Sequence, residues 1–420
     1  MGKILTLRQN SMMAVVSAPA TVIDYLPSHK VLNKRVESID LLRGLVMIVM
    51  ALDHVRDYFH YDAFMYSPTD LSRTNVPLFF TRFITHYSAP VFVFLAGTSS
   101  YLYGLKRSKR ELSFFLLTRG AWLVLIEIFA VGLFRTFNLA YTFSSLQVIW
   151  AIGLSMMALS AIIYMNRNLI LLTGLLLVVG HNALDGIHVQ GNTLPAFLWS
   201  ILHDEKHFTF GRFIVYVHYP VLPWLGVMIL GYYLGSLYAP GYDPLQRKRT
   251  LRLLGLGALG LFIILRLDNW YGDSAHWSVQ ENAAFGLLSF LNVTKYPPSL
   301  LYLLITLGPA LILLAAMEKP MNSVTRKIVT FGRVPMFYYL AHILLIHMAA
   351  VMAGFITGHA EMGILNNAVN SVPELKGYGF GLATVYMVWI ALVLLLYPFC
   401  KWFERYKRTH QSRYWWLSYI

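Results

Sequence analysis

Arg43 and His54 stand eleven residues apart in an apolar stretch near the N-terminus. In an α-helix this separation corresponds to about 1,100° of rotation and about 16 Å of rise, so both side chains project from nearly one face. A guanidinium group binds phosphates well. An imidazole, with an ordinary pKa of about 6.5, accepts and donates protons near neutral pH. The spacing therefore predicts one helix with an anion-binding end and a general-base end.

Three carboxylates flank this pair. Asp40 lies one turn before the arginine and is predicted to orient its guanidinium. Asp57 lies one turn beyond His54 on the same stripe, where it could hydrogen-bond the imidazole and set its tautomer. Asp53 is rotated by about 100°, and it could assist the imidazole or instead pair with Arg56 or a neighbouring helix. His54, Asp53 and Asp57 are the predicted catalytic residues.

Composition indicates which elements must hold these residues. Of 420 residues, 57% are hydrophobic and 13% are charged, about half the roughly 25% that soluble domains carry. Water-soluble, disordered and fibrous proteins are thereby excluded, and an all-α integral membrane protein is indicated. The basic residues behind the net charge of +14 fall in short clusters between apolar runs, which argues against nucleic acid as a partner. The single cysteine, Cys400, gives no disulfide framework and no thiolate metal site.

Ten apolar runs approach the length of about 20 residues that a helix needs to cross a bilayer. They cover residues 38–59, 79–105, 113–137, 146–165, 169–183, 213–238, 251–267, 298–317, 331–356 and 380–403. About 22 of the 34 Lys and Arg residues lie at the termini and in every second loop, which predicts that both termini are cytoplasmic. The expected organisation is a cytoplasmic arm (1–37), a ten-helix membrane domain (38–403) and a basic cytoplasmic tail (404–420).

The alternating topology assigns a depth to the other charged residues within these runs. Arg82 and His86 of the second run lie at a depth comparable to the histidine of the first. Arg119 of the third run and Arg333 of the ninth lie at the cytoplasmic end. Together with Arg43 they form a set of three guanidinium groups suited to phosphates.

The remaining histidines favour structural interpretations. His342 and His347 are five residues apart, or about 140° around a helix, so they cannot bind one metal from one face and are predicted to pack in the core. His203 and His207 lie in a polar loop that requires no metal. The run of small residues at 97–100 is predicted to be a close contact between helices.

Several segments resemble one family of membrane enzymes. The segments 38–44 with 53–54, 90–99, 295–299, 331–335 and 415–419 are similar to the bacterial relatives of heparan-alpha-glucosaminide N-acetyltransferase. The arginine followed by the histidine is also similar to a motif of membrane acyltransferases that O-acylate bacterial polysaccharides. The resemblance implies a transmembrane acyltransferase fold of ten or more spans. It further implies that cytoplasmic acyl-CoA is used to acylate a sugar on the opposite side of the membrane.

This sequence departs from the animal enzyme at the proposed base. There an asparagine matches the position of His54, and the histidine given the catalytic role comes later. The next histidine in this chain is His60, so the role could fall on either residue. His54 is preferred because it shares a helix face with Arg43.

The predicted function is an acyltransferase of the bacterial inner membrane, with acetyl-CoA or another acyl-CoA as co-substrate and no metal. The acyl-CoA phosphates are expected on the three guanidinium groups, and the sugar acceptor near Arg82, His86 and Lys295. The lipid bilayer and a glycan are the predicted partners, and a homodimer is left open. O- or N-acylation, acyl length, and direct transfer or an acyl-histidine also stay open. The alternatives are a secondary transporter or flippase that uses the same charges, and a scaffold protein without activity.

Overall fold

The computed structural model describes residues 36–61, 63–365 and 375–418. Of the predicted arm, only the last two residues fall within this part. The helices are α1 (Glu37–Phe59), α2 (Val76–Thr85), α3 (Ser88–Gly104), α4 (Lys109–Leu125), α5 (Gly132–Thr136), α6 (Val148–Ile162), α7 (Arg167–Gly180), α8 (Leu194–Leu202), α9 (Val221–Leu234), α10 (Pro244–Asp268), α11 (Ala283–Leu291), α12 (Leu300–Ala316), α13 (Ser323–Arg333), α14 (Pro335–Thr357) and α15 (Leu382–His410). The strands are β1 (Phe143–Leu146), β2 (Lys206–Phe210) and β3 (Phe213–Val217).

Several helices begin where the sequence supplies a capping side chain. At α4, Ser108 and Glu111 form a reciprocal capping box that satisfies two backbone N–H groups. At α10, the carboxylate of Asp243 accepts from the N–H groups of the first turn, and Pro244 follows at the first helical position. Local chemistry thus sets these helix starts.

Among the residues that the structure describes, seven helical segments are long and apolar enough to cross a membrane. They are Val76–Gly104, Lys109–Thr136, Arg167–Leu184, Val221–Tyr238, Pro244–Asp268, Pro335–Thr357 and Leu382–His410. Two further apolar helices, α6 and α12, are shorter, and α1 has 23 residues but carries several charges. Each of the ten predicted runs therefore contains a helix. The structure supports a mostly helical membrane protein, and the number of ten spans stays a prediction.

A small sheet corrects the sixth predicted run. Residues 213–217 form β3, which pairs with β2 as an antiparallel hairpin and with β1 in parallel, in the order β1-β3-β2. Helix α9 begins only at Val221. The segment 213–217 contains only β-branched and aromatic residues, which favour strands, and Gly211 supplies the positive φ of +61° at the hairpin turn. Hydropathy alone did not separate this strand from the helix that follows.

Helix α1 lies at the centre of the packing and is in contact with α2, α3 and α12 to α15. Its crossing with α13 depends on two glycines. A Cβ on Gly44 would lie 2.1 Å from the carbonyl oxygen of Ile328, and one on Gly332 would lie 1.9 Å from that of Asp40. The predicted close contact at 97–100 is confirmed, because a Cβ on Gly97 would lie 2.0 Å from the carbonyl oxygen of Met228 on α9.

Candidate functional site

The imidazole of His54 pairs with a second histidine. His54 Nδ1 lies 2.7 Å from Nε2 of His342 on α14, and the two rings are stacked with centroids 5.0 Å apart. His342 is fully buried, whereas His54 is only partly covered. His342 was predicted to pack in the core. It is buried as expected, and it also contacts the predicted base.

A backbone carbonyl sets the direction of hydrogen bonding in this pair. His342 Nδ1 lies 2.8 Å from the carbonyl oxygen of Tyr338. A carbonyl oxygen only accepts, so Nδ1 of His342 must donate, and in a neutral ring its Nε2 is then an acceptor. His54 therefore donates from Nδ1 to His342, which leaves the lone pair on His54 Nε2. This tautomer is the one that a general base needs.

The two aspartates beside His54 contact arginines. Asp53 accepts from Arg56 at 2.8 Å and forms an ion pair with Arg82 of α2, and Asp57 accepts from Arg56 at 2.6 Å. The predicted contact between an aspartate and the imidazole is thus replaced by charge-assisted hydrogen bonds to guanidinium groups, which are stronger. The other interpretation of Asp53, a pair with Arg56 or a neighbouring helix, is confirmed. These four charged side chains join α1 to α2.

His60 lies just beyond the last residue of α1. Its ring stacks on Tyr61 with centroids 4.5 Å apart, and its backbone forms a bridge with Phe380. The structure thus pairs His54 with His342, whose other ring nitrogen donates to the carbonyl of Tyr338.

The three predicted acceptor contacts line one cavity. Arg82, His86 and Lys295 meet at a cavity of about 260 Å³. It lies between the first half of the segment Val76–Gly104 and the loops around 205 and 292–296. His86 is 4% exposed, and its Nδ1 has no hydrogen-bond partner among the described residues. Arg82 also holds Asp53, the neighbour of His54 in the chain. The cavity is therefore linked to the base through one ion pair.

A cluster that the sequence did not predict forms another wall of this cavity. Glu205 accepts from the hydroxyl of Tyr216 and contacts Nδ1 of His218, and the His218 ring lies 3.7 Å from that of Tyr296 between centroids. Glu205 and Tyr296 both line the cavity. The residues come from three loops and β3. The β-branched and aromatic residues of 213–217 were a sign of a strand, but nothing local indicated Tyr296 as a neighbour of Glu205 and His218.

Tyr296 has an unusual protonation equilibrium. Burial alone would raise the pKa of its phenol, but the charge of Lys295, followed by those of His218 and Arg82, lowers this pKa from about 10 to about 7. Near neutral pH, the phenol can therefore lose its proton at the cavity wall.

The predicted donor end is assembled in part. Arg43 donates to Asp40 at 3.0 Å, to the carbonyl of Gly332 at 3.2 Å and to Ser99 at 2.8 Å, so the orienting contact of Asp40 is present. Arg333 lies 3.6 Å from Asp40 and donates to Glu404 at 2.7 Å. Asp40 therefore joins two of the three predicted guanidinium groups, one from α1 and one at the end of α13.

The third predicted guanidinium belongs to Arg119. Arg119 lies on α4, which packs mainly against α6, and its guanidinium is 5.7 Å from the ring centroid of Phe115. Spacing along the sequence predicts the depth of Arg119 in the membrane, but it does not predict which helices surround this residue in the bundle. Within the described ranges, no three His, Cys, Asp or Glu side chains are placed to hold one metal ion.

Comparison with known proteins identifies a family for this chain. The profile described as "Heparan-alpha-glucosaminide N-acetyltransferase, catalytic" matches residues 35–265, more than half of the chain. The matched range contains Arg43, His54 and Arg82, whereas His342 lies beyond it. No curated protein matches the chain. The family implies acyltransferase activity, and the apolar helices agree with a membrane protein. The chain belongs to the heparan-alpha-glucosaminide N-acetyltransferase catalytic family.

Proposed function

We propose that the protein transfers an acyl group, acetyl in the first instance, from cytoplasmic acyl-CoA to a hydroxyl or amine of a sugar on the opposite side of the membrane. The observation that carries the proposal is the His54–His342 pair, whose hydrogen bonds leave a lone pair on His54 Nε2. Both termini would face the cytoplasm of a cell whose inner membrane holds the protein, as the distribution of basic residues predicts.

The acceptor would bind in the 260 Å³ cavity, in contact with Arg82, His86 and Lys295. The acyl-CoA phosphates would bind at Arg43 and Arg333, with Arg119 as a further cation. The carboxylates of Asp40 and Glu404 that now bind these arginines would then give up some of their hydrogen bonds to phosphate oxygens. The rise of about 16 Å between Arg43 and His54 along α1 is comparable to an extended pantetheine arm.

In the reaction, the acceptor oxygen or nitrogen attacks the thioester carbonyl carbon while its proton passes to His54 Nε2. The new bond to carbon forms a tetrahedral intermediate, and its collapse breaks the carbon–sulfur bond. The same proton then passes from His54 to the sulfur, which leaves as a thiol. The proton cannot continue through His342, because that chain of hydrogen bonds ends at a carbonyl that only accepts. His54 therefore acts first as base and then as acid.

Asp53 and Asp57 have a positioning role in this scheme. They hold Arg56 and Arg82 between α1 and α2, and Arg82 contributes to the cavity. The rival function, a transporter or flippase, would use these four alternating charges as a path for ions.

Acyl transfer and acyl-CoA hydrolysis by the purified protein in lipid nanodiscs test the proposal. His54→Ala is expected to lower kcat by about 10²- to 10⁴-fold, whereas His188→Ala, a change at an exposed loop histidine, leaves kcat unchanged. Arg43→Ala is expected to raise KM for acyl-CoA more than KM for the acceptor, with Arg249→Ala as the exposed control. Equal turnover by wild type and His54→Ala would refute the role of His54. Substrate movement across the membrane without acylation would favour the transporter.

A further inference from the structure

A short helix between the membrane segments exposes a stripe of leucines. Helix α8 has nine residues, or about 13.5 Å of length, which is less than half of a bilayer core of about 30 Å. A helix that faces water has its apolar stripe inside and its polar stripe outside. In α8 the two fully buried residues are small, and the exposed stripe is made of leucines four residues apart. The buried residues are Ala196 and Ser200, and the exposed leucines are Leu194, Leu198 and Leu202, at 69%, 52% and 44%.

The β2–β3 hairpin extends this apolar surface. Phe197 of α8 contacts Phe208 and Phe210 of β2, with ring centroids 5.1 Å and 5.9 Å apart. Phe210 and Phe213, on either side of the turn, are exposed. Between them Arg212 is also exposed, with its guanidinium 5.1 Å from the ring centroid of Phe213. The turn thus presents two aromatic rings and one cation.

Helix α8 lies next to the end of a membrane-length segment, because Trp199 of α8 donates to the carbonyl oxygen of Ile187 at 2.8 Å and the ring of His203 lies 5.8 Å from that of His181 between centroids. Helix α7 belongs to the membrane-length segment Arg167–Leu184 and exposes Leu172, Leu176 and Val179 along one face, and Ile187 is exposed just beyond it. The side chains of α7 that point away from the protein have lipid as their surroundings in a membrane protein. The exposed leucines of α8 therefore lie beside a helix whose outer face meets lipid.

We propose that α8 and the β2–β3 turn form an interfacial anchor, with Leu194, Leu198 and Leu202 among the acyl chains of one leaflet. Interfacial helices place their apolar face about 5–10 Å into the boundary between headgroups and acyl chains. Phe210 and Phe213 lie at the same boundary, and Arg212 reaches the headgroup phosphates. The occupant of this face is the phospholipid bilayer itself.

Site-directed fluorescence tests the anchor, because Cys400 is the only cysteine of the chain. In a Cys400→Ser background, Leu198→Cys is labelled with bimane and the full chain is reconstituted into vesicles of brominated phosphatidylcholine. The matched control is Gln190→Cys, an exposed polar position of the same loop. Bimane at position 198 is expected to lose about half of its fluorescence or more in brominated lipid, as expected for a probe at the depth of an interfacial helix. Bimane at position 190 is expected to be quenched by aqueous iodide instead.

Two results would overturn the anchor. Quenching of position 198 by iodide to the same extent as position 190 would show that α8 faces water. Protection of position 198 from both quenchers would show that a second copy or another protein covers the leucines. If Leu198→Cys does not yield folded protein by gel filtration, Leu202→Cys gives the same readout from the next turn.

Discussion

A backbone carbonyl oxygen determines the tautomers of His54 and His342. The carbonyl of Tyr338 accepts from His342, so the whole chain of hydrogen bonds has one direction and ends with a lone pair at His54 Nε2. A carboxylate at that position would have given the same tautomer and also a charge. In the proposed reaction, a neutral histidine would stabilise the imidazolium of His54 less strongly than a carboxylate would, which suits a base that returns its proton to the leaving sulfur.

His342 is therefore expected to act as a positioning residue. His342→Ala removes the acceptor for His54 Nδ1 and should lower kcat by about 10²-fold or more, with little change in KM for acyl-CoA, because a wrong tautomer cannot accept the proton. His342→Gln offers an amide oxygen as acceptor and should recover part of kcat. Steady-state kinetics of the two variants decide this. A similar loss of kcat in both, with equal loss of thermal stability, would mean that His342 only packs.

Tyr296 should titrate near neutral pH. Its pKa is lowered from about 10 to about 7, so the phenol is neutral below about pH 7 and becomes a phenolate as pH rises through that value. The ultraviolet absorbance of tyrosinate in wild type is expected to show a step of one residue there, and Tyr296→Phe should abolish it. Tyr271→Phe is the control, because burial raises the pKa of Tyr271. If the absorbance step persists in Tyr296→Phe, it belongs to another tyrosine, and the prediction for Tyr296 is wrong.

At the scale of elements, close helix crossings position the site. Gly44 and Gly332 allow α1 and α13 to approach until Arg43 reaches the carbonyl of Gly332. Gly97 and Gly231 do the same for α3 and α9, where a Cβ on Gly231 would lie 2.1 Å from the carbonyl oxygen of Phe94. Backbone at such distances cannot move aside as a flexible side chain can. These crossings therefore determine the distances within the bundle.

Gly231→Ala should destabilise the protein by about 1–3 kcal/mol, because the new methyl group overpacks a contact between two backbones. Gly260→Ala is the matched control, because no atom lies within 4 Å of the position that a Cβ would take there. Alanine is also more favourable than glycine in a helix by up to about 1 kcal/mol. Thermal unfolding in detergent should show a lower Tm for the first variant and an equal or higher Tm for the second. An unchanged Tm for Gly231→Ala would mean that α3 and α9 can separate at no cost.

At the scale of the whole molecule, the positive-inside pattern predicts orientation. About 22 of the 34 basic residues lie at the termini and in every second predicted loop, so a fluorescent reporter fused at the C-terminus should fold in the cytoplasm and be bright. Alkaline phosphatase inserted after Gln190 should be active, because this loop is predicted on the opposite side. A dark C-terminal fusion together with an inactive insertion would show that the orientation is the opposite of the predicted one.

The sequence alone predicted a helical membrane protein, a helix within each of ten runs, the family, and the contact of Asp40 with Arg43. The helices and the contact of Asp40 with Arg43 follow from hydropathy, capping and spacing, which act within one or two helical turns, whereas the family was indicated by the resemblance of short segments. Only the tertiary structure decided that His342, 288 residues from His54, contacts its imidazole, that Asp53 and Asp57 bind arginines, and that Glu205 and Tyr296 meet Lys295 at the cavity. Depth in the membrane is readable from the order of apolar and charged residues. Position around the bundle is not, because it depends on which helices pack together and on how closely their backbones approach.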